Sequence, residues 1–170
     1  MAIAAVRLNH AVLFVSDLER ALQFYTDAFG TEVVAREPRA DAAFLRLPRS
    51  GNHHDLGLFG IGAGAPPRAT GTVGLYHLAW QVDTIEELDD ARSTLAGLGA
   101  LTGESSHGAT KSLYGVDPDG NEFEVMWMLP RESWGEFEHS APVERLDLDA
   151  EVRRWGGRRT AGRIVEEPAG

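Results

Sequence analysis

A repeat offset by 67 residues constrains this chain more than any other feature. The segment HAVLFVSDLER, starting at His10, aligns with HLAWQVDTIEE, starting at His77. Val15 falls on Val82, Ser16 on Asp83, Glu19 on Glu86 and Gly30 on Gly97. Self-similarity at a fixed offset marks one supersecondary unit used twice. In each copy a short apolar run, Leu8 to Val15 or Tyr76 to Val82, predicts a strand. A capping signal follows it, Ser16 with Glu19 and Asp83 with Glu86. Leu18, Ala21, Leu22, Tyr25 and Phe29 then keep helical spacing up to Gly30, and Ile85, Leu88, Ala91 and Leu95 do so up to Gly97 and Gly99.

Three strands are expected after each helix. In the first copy they lie near 31–37, 42–48 and 54–60. In the second they lie near 100–105, 111–116 and 121–128, with Asp117-Pro-Asp-Gly120 as the turn before the last. The predicted class is α+β, with paired βαβββ modules forming a curved mixed sheet around a metal site. The modules span 6–60 and 75–129 of one domain, 1–129, and a linker rich in Gly, Pro and Ala joins them from Gly62 to Gly74. Residues 130–170 lie outside the repeat, with a short helix expected near Leu146 to Trp155 and a mobile Gly/Arg/Glu-rich end.

Composition removes several classes of function. With no Cys, the chain has no disulfide, thiolate site or Cys nucleophile, which fits a reducing, cytoplasmic setting. A formal net charge of -10 with no basic stripe disfavours nucleic acid as a partner. Arg153, Arg154, Arg158, Arg159 and Arg163 sit among acidic residues and read as a solvated tail. No apolar run is long enough to span a membrane, and the first residues are too weakly apolar for a secretory signal.

The chemistry concentrates in a few positions. A single His is usually a surface or hydrogen-bonded residue, but His10 and His77 hold the same place in the repeated unit, within predicted strands. A buried neutral imidazole needs a partner, and a metal ion bound between the halves satisfies both. Glu124, in the apolar strand Phe123 to Trp127, needs a cation or donors if buried. The residue equivalent to Glu124 in the first copy is Gly57, which has no side chain to coordinate. The site therefore has three protein ligands, His10, His77 and Glu124. Two His and one carboxylate with open positions suit non-haem Fe(II), and the same set can hold Zn(II).

Three stretches resemble the vicinal oxygen chelate superfamily, which includes glyoxalases, bleomycin-resistance proteins and extradiol dioxygenases. LNHAVL, from Leu8, and LYHLAW, from Leu75, resemble the strands bearing the two metal His, and DPDGNEFE, ending at Glu124, resembles the turn and strand ending in the metal Glu. The chain looks most like the compact extradiol catechol dioxygenases. That resemblance implies an Fe(II) enzyme, with Mn(II) as the other candidate metal, that opens the ring of a small aromatic diol with O2 and forms a homo-oligomer. It also implies roles for three further residues. HHDLGL, from His53, resembles the strand with a His beside the oxygen site, which assigns that role to His54. Tyr114, ten residues before Glu124, takes the place of the Tyr that binds a substrate oxygen. His107 takes that of a further active-site His, in a segment two residues shorter than the family's. Val12, Phe14, Met126 and Met128 are expected to supply apolar walls. Strict alternation from Gly57 would turn His53 rather than His54 inward. A glyoxalase-like isomerase or lyase is the first alternative, although that subgroup usually carries a carboxylate near Gly57. A resistance-type binding module is the second, although such modules commonly lack the three metal ligands.

Overall fold

The computed structural model describes residues 2–69 and 71–160. The chain divides into two compact units, Met1–Pro67 and Arg68–Gly170, with the boundary inside the Gly/Pro-rich linker. Each unit is a four-stranded mixed sheet with a helix, so the class is α+β and the βαβββ order occurs twice.

In the first unit, β1 (Ala11–Val15), α1 (Leu18–Phe29), β2 (Glu32–Glu37), β3 (Ala42–Arg46) and β4 (Leu56–Gly60) give the strand order β1-β4-β3-β2. In the second, β5 (Leu78–Gln81), α2 (Ile85–Gly97), β6 (Leu101–Ser106), β7 (Thr110–Val116) and β8 (Glu122–Met128) give β5-β8-β7-β6. The repeat persists at the level of strand register. β1 runs parallel to β4 with Ala11 opposite Leu56, and β5 runs parallel to β8 with Leu78 opposite Phe123. Both partners of the second pair lie 67 residues beyond those of the first.

Strand parity sorts the side chains. Leu13, Val15, Ala43, Leu45, Leu56 and Leu58 share the buried face of the first sheet, and α1 packs there with Leu18, Ala21, Leu22 and Tyr25. In the second sheet Leu113, Phe123, Val125 and Trp127 are buried on the side of α2, which contributes Ile85, Leu88 and Leu95. The opposite face of each sheet carries Val12, Phe14, Phe44 and Gly57 in the first unit, and Tyr114, Glu124, Met126 and Met128 in the second. Val12 and Phe14 are exposed, and Met126 is buried.

The expected helix caps are each displaced by one residue. Asp17, not Ser16, caps α1 by accepting from the Arg20 N–H. Glu19 is drawn away from a capping box because it forms a bidentate pair with Arg36 on β2. Thr84, not Asp83, caps α2, while the Glu87 carboxylate reaches back to the Asp83 N–H. The strands also start later than expected, so His10 and His77 each directly precede their strand rather than lying within it. Each His lies one residue before its strand, which keeps the two in equivalent positions.

Past β8 the chain stays on the second unit. Two 3-10 turns (Arg131–Ser133 and Gly135–His139) lead to α3 (Leu148–Trp155), close to the expected helix. Glu144 exchanges two backbone hydrogen bonds with Ser106 at the end of β6. α3 packs beside α2, and its Glu151 lies 3.5 Å from the buried Lys111 of β7. Of the Arg cluster, Arg159 pairs with Asp83 and Arg154 lies over the Trp155 ring, whereas Arg163 and the end expected to be mobile lie outside the described residues. Among the described residues no helix is long and apolar enough to cross a membrane.

Candidate functional site

In the second unit, three of the expected residues, His77, Tyr114 and His107, gather near Glu124. Parallel pairing sets Ala79 opposite Glu124, and antiparallel pairing across the β7–β8 hairpin sets Tyr114 opposite it. The hairpin turn is held by the Asp117 carboxylate, which accepts from the backbone N–H groups of Asp119 and Asn121 and from the Asn121 side chain. That turn makes a ten-residue spacing into a cross-strand contact. His77, entering β5, places Nε2 3.1 Å from Glu124 Oε2, with the two side chains only 24% and 13% exposed. Its Nδ1 is buried and has no hydrogen-bond partner.

Tyr114 continues the cluster. Its ring lies 5.9 Å from that of His77, and its hydroxyl is 2.7 Å from His107 Nε2. His107 Nδ1 is 2.9 Å from the carbonyl of Pro142. A carbonyl only accepts, so Nδ1 carries the proton, and in the neutral ring Nε2 accepts from the Tyr114 hydroxyl. Burial, reinforced by the Glu124 carboxylate, raises the Tyr114 pKa above the ordinary phenol value. The Pro142 contact depends on the chain beyond β8, a role that sequence periodicity did not reveal. Gly108 secures the same junction, because its φ of 73° suits glycine and an added Cβ would lie 2.3 Å from the Phe137 ring.

The first unit gathers the remaining His. His54 is half-buried, with its ring 4.5 Å from that of His10 and 5.2 Å from that of Phe44. His53 is exposed and sets Nδ1 3.0 Å from Nδ1 of His54. β4 starts only at Leu56, so the alternation that would favour His53 does not extend to these residues. Burial, then the neighbouring His10 and His53, lower the His54 pKa below the ordinary imidazole value. Gly57 lies between Val12 and Phe44 in register, and an added Cβ would approach Val12 Cγ2 to 3.3 Å and the Phe44 ring to 3.4 Å. A carboxylate at this position would have to displace those neighbours. His139 is exposed on the last 3-10 turn.

Among the described residues, no three His, Asp or Glu side chains are grouped closely enough to hold a metal ion. The donors present nonetheless fit a divalent cation. His77 and Glu124 form a half-buried imidazole–carboxylate pair, the donor types that such cations take.

A family model described as the Glyoxalase/Bleomycin resistance protein/Dioxygenase superfamily matches residues 7–125. The chain is 38% identical over 132 residues to biphenyl-2,3-diol 1,2-dioxygenase 3 of Rhodococcus globerulus, a match covering 75% of this chain and 67% of that protein. It is 32% identical over 132 residues to catechol-2,3-dioxygenase of Bacillus subtilis (strain 168), covering 75% of this chain but 43% of the relative. Among solved structures, a glyoxylase/bleomycin resistance protein/dioxygenase domain from Frankia sp. EAN1pec superposes with a TM-score of 0.61 at 24% identity, over 74% of this chain and 99% of that one.

Proposed function

We propose, because this chain belongs to the glyoxalase/bleomycin resistance protein/dioxygenase superfamily, that it is an Fe(II)-dependent extradiol dioxygenase acting on a catechol-type aromatic. The observation that carries the reading is the cluster around β7 and β8, where His77 lies beside Glu124, and Tyr114, opposite Glu124 in register, bonds to His107. The named relatives that act on aromatic diols support it. The ligands assigned to the metal are His10, His77 and Glu124, and the crowding at Gly57 is consistent with three protein ligands rather than four. When bound, the metal ion orients the diol and O2 and couples electron transfer between them.

The chain's own groups would handle the protons. A substrate hydroxyl can donate to the Tyr114 oxygen while the Tyr114 proton passes to His107 Nε2. The imidazolium so formed is held by the Pro142 carbonyl at Nδ1. His54, whose pKa is lowered, stays an acceptor near neutrality and takes the second proton position beside His10. Met126 and Met128, on the Glu124 face of the sheet, supply apolar contact for an aromatic ring. Mn(II) is the alternative metal. The setting proposed is cytoplasmic, with a homo-oligomer as the working assembly.

Oxygen uptake after anaerobic loading with Fe(II), across a panel of substituted catechols, tests the reading. Uptake with a yellow ring-opened product is expected. No uptake, with one metal bound per chain, would move the assignment to a non-redox metalloenzyme of the same family. Residue roles separate by metal content: His10→Ala should lose the metal, and His54→Ala should keep it while losing turnover. Full turnover in His54→Ala would remove that residue from the mechanism.

A further inference from the structure

Within the first unit, two asparagines link His10 to the loop that carries His54. The link starts at Asn52, just before the two adjacent His. Its Nδ2 lies 2.9 Å from the Asn9 carbonyl and 2.8 Å from the His54 carbonyl, with an Asp55 carboxylate oxygen at 3.5 Å. All three can only accept, so the NH2 end of the Asn52 amide faces them. Its Oδ1 then receives the His53 backbone N–H at 3.0 Å, the Asn9 side-chain NH2 at 3.2 Å and the Arg7 guanidinium at 3.4 Å. The His53 N–H alone fixes the same polarity, because a backbone N–H only donates.

The orientation passes to Asn9. With its NH2 turned to Asn52, its Oδ1 faces His10 Nδ1 at 2.9 Å. An amide oxygen cannot donate, so His10 Nδ1 must carry the ring proton. The loop end of the link is itself anchored. The Asp55 carboxylate accepts from the Leu47 N–H and the Ser50 hydroxyl, and the Asp55 N–H donates to the Leu45 carbonyl of β3.

We propose that Asn9, oriented by Asn52, is a positioning residue that holds His10 in its Nδ1–H tautomer and leaves the Nε2 lone pair as the coordinating one. A metal-ligating His commonly donates its second ring N–H to an oxygen acceptor, and such a partner fixes ring orientation and basicity. The device is specific to the first unit, because the residue equivalent to Asn9 in the second is Tyr76. His77 has no acceptor at its buried Nδ1. The two His of the repeat are therefore held differently, His10 from behind by an amide and His77 from the front by Glu124.

The metal-binding consequence rests on the function proposed above, but the tautomer does not. Its test is the 15N imidazole spectrum of the metal-free protein with the ring neutral. His10 should show a protonated Nδ1 and an unprotonated Nε2. Asn9→Leu should shift His10 toward the Nε2–H form and weaken Mn(II) binding about 10–100-fold. Asn9→Asp, which accepts without needing a particular amide orientation, should retain the Nδ1–H form and the affinity. Asn52→Ala should loosen the tautomer when residue 9 is Asn and leave it intact when residue 9 is Asp. A wild-type His10 protonated at Nε2, or an unchanged tautomer in Asn9→Leu, would overturn the inference. A wild-type protein with the expected tautomer that binds neither Mn(II) nor Fe(II) would instead overturn the function, leaving the positioning role standing.

Discussion

Gly108 shows how much one position can carry. It follows His107, adopts a left-handed φ and lies against the face of Phe137. Gly108→Ala should cost about 2–4 kcal/mol, combining backbone strain with overpacking, and should pull His107 away from Tyr114. Denaturant titration gives the energy, and the Tyr114 ring resonances report the lost contact. Phe137→Leu in the same chain should recover part of the stability. If it recovers none, the strained backbone and not the ring is the cause. The Tyr114–His107 bond offers a second test at this scale. Tyr114→Phe removes the hydroxyl and leaves His107 Nε2 without its donor while Pro142 still holds Nδ1. Turnover should fall about 10²–10⁴-fold, the usual range for a lost acid–base group, with metal content unchanged. Loss of the metal would show that the hydroxyl supports the metal site rather than the substrate.

Among the elements, α3 has the clearest structural role. Its Glu151 meets the ammonium of Lys111, a β7 side chain only 8% exposed, and also accepts from the Trp155 indole N–H. Lys111 also donates to the Ser106 hydroxyl. Removing one member of a buried pair strands the other, so Glu151→Ala should destabilise the protein by about 3–5 kcal/mol. Lys111→Met, which keeps the volume and removes the charge, should be far milder. Equal losses in the two variants, read from denaturant midpoints, would show that packing rather than the stranded charge sets the cost. α3 and the chain leading to it bear on the site because the same segment brings Pro142 to His107 and Glu144 to the end of β6.

For the whole molecule, the two units differ in what they bury. Both have a helix-covered core, with Tyr25, Leu45, Leu56 and Leu58 fully buried in the first and Trp127, Phe123, Leu113, Ile85, Leu88 and Leu148 in the second, but the first also leaves Val12 and Phe14 exposed on its sheet. Small chains bury a smaller share of their surface and are correspondingly marginal. A fragment of residues 68–170 should therefore unfold cooperatively by circular dichroism, and a fragment of residues 1–67 should be markedly less stable. A 1–67 fragment as stable as the longer one would show that the exposed face of the first sheet is no liability.

The sequence by itself determined the repeat, its offset and the class of fold, because hydrophobic periodicity, turn residues and a duplicated pattern are local signals that packing did not override. The strand registers keep the 67-residue offset, and the strands after each helix lie within about two residues of where they were expected. The link between Tyr114 and Glu124 came from the family resemblance, and the β7–β8 hairpin sets the two opposite each other. Tertiary structure alone decided the caps, the asparagine link to His10 and the role of the chain beyond β8. At α1, Glu19 pairs with Arg36 seventeen positions away, a contact that leaves no mark in the capping pattern. Asn52 reaches Asn9 across 43 positions, and Pro142 reaches His107 across 35. Contacts at such separations depend on where two strands and a loop finish in space, and no periodicity along the chain encodes the direction of an amide or the tautomer of an imidazole.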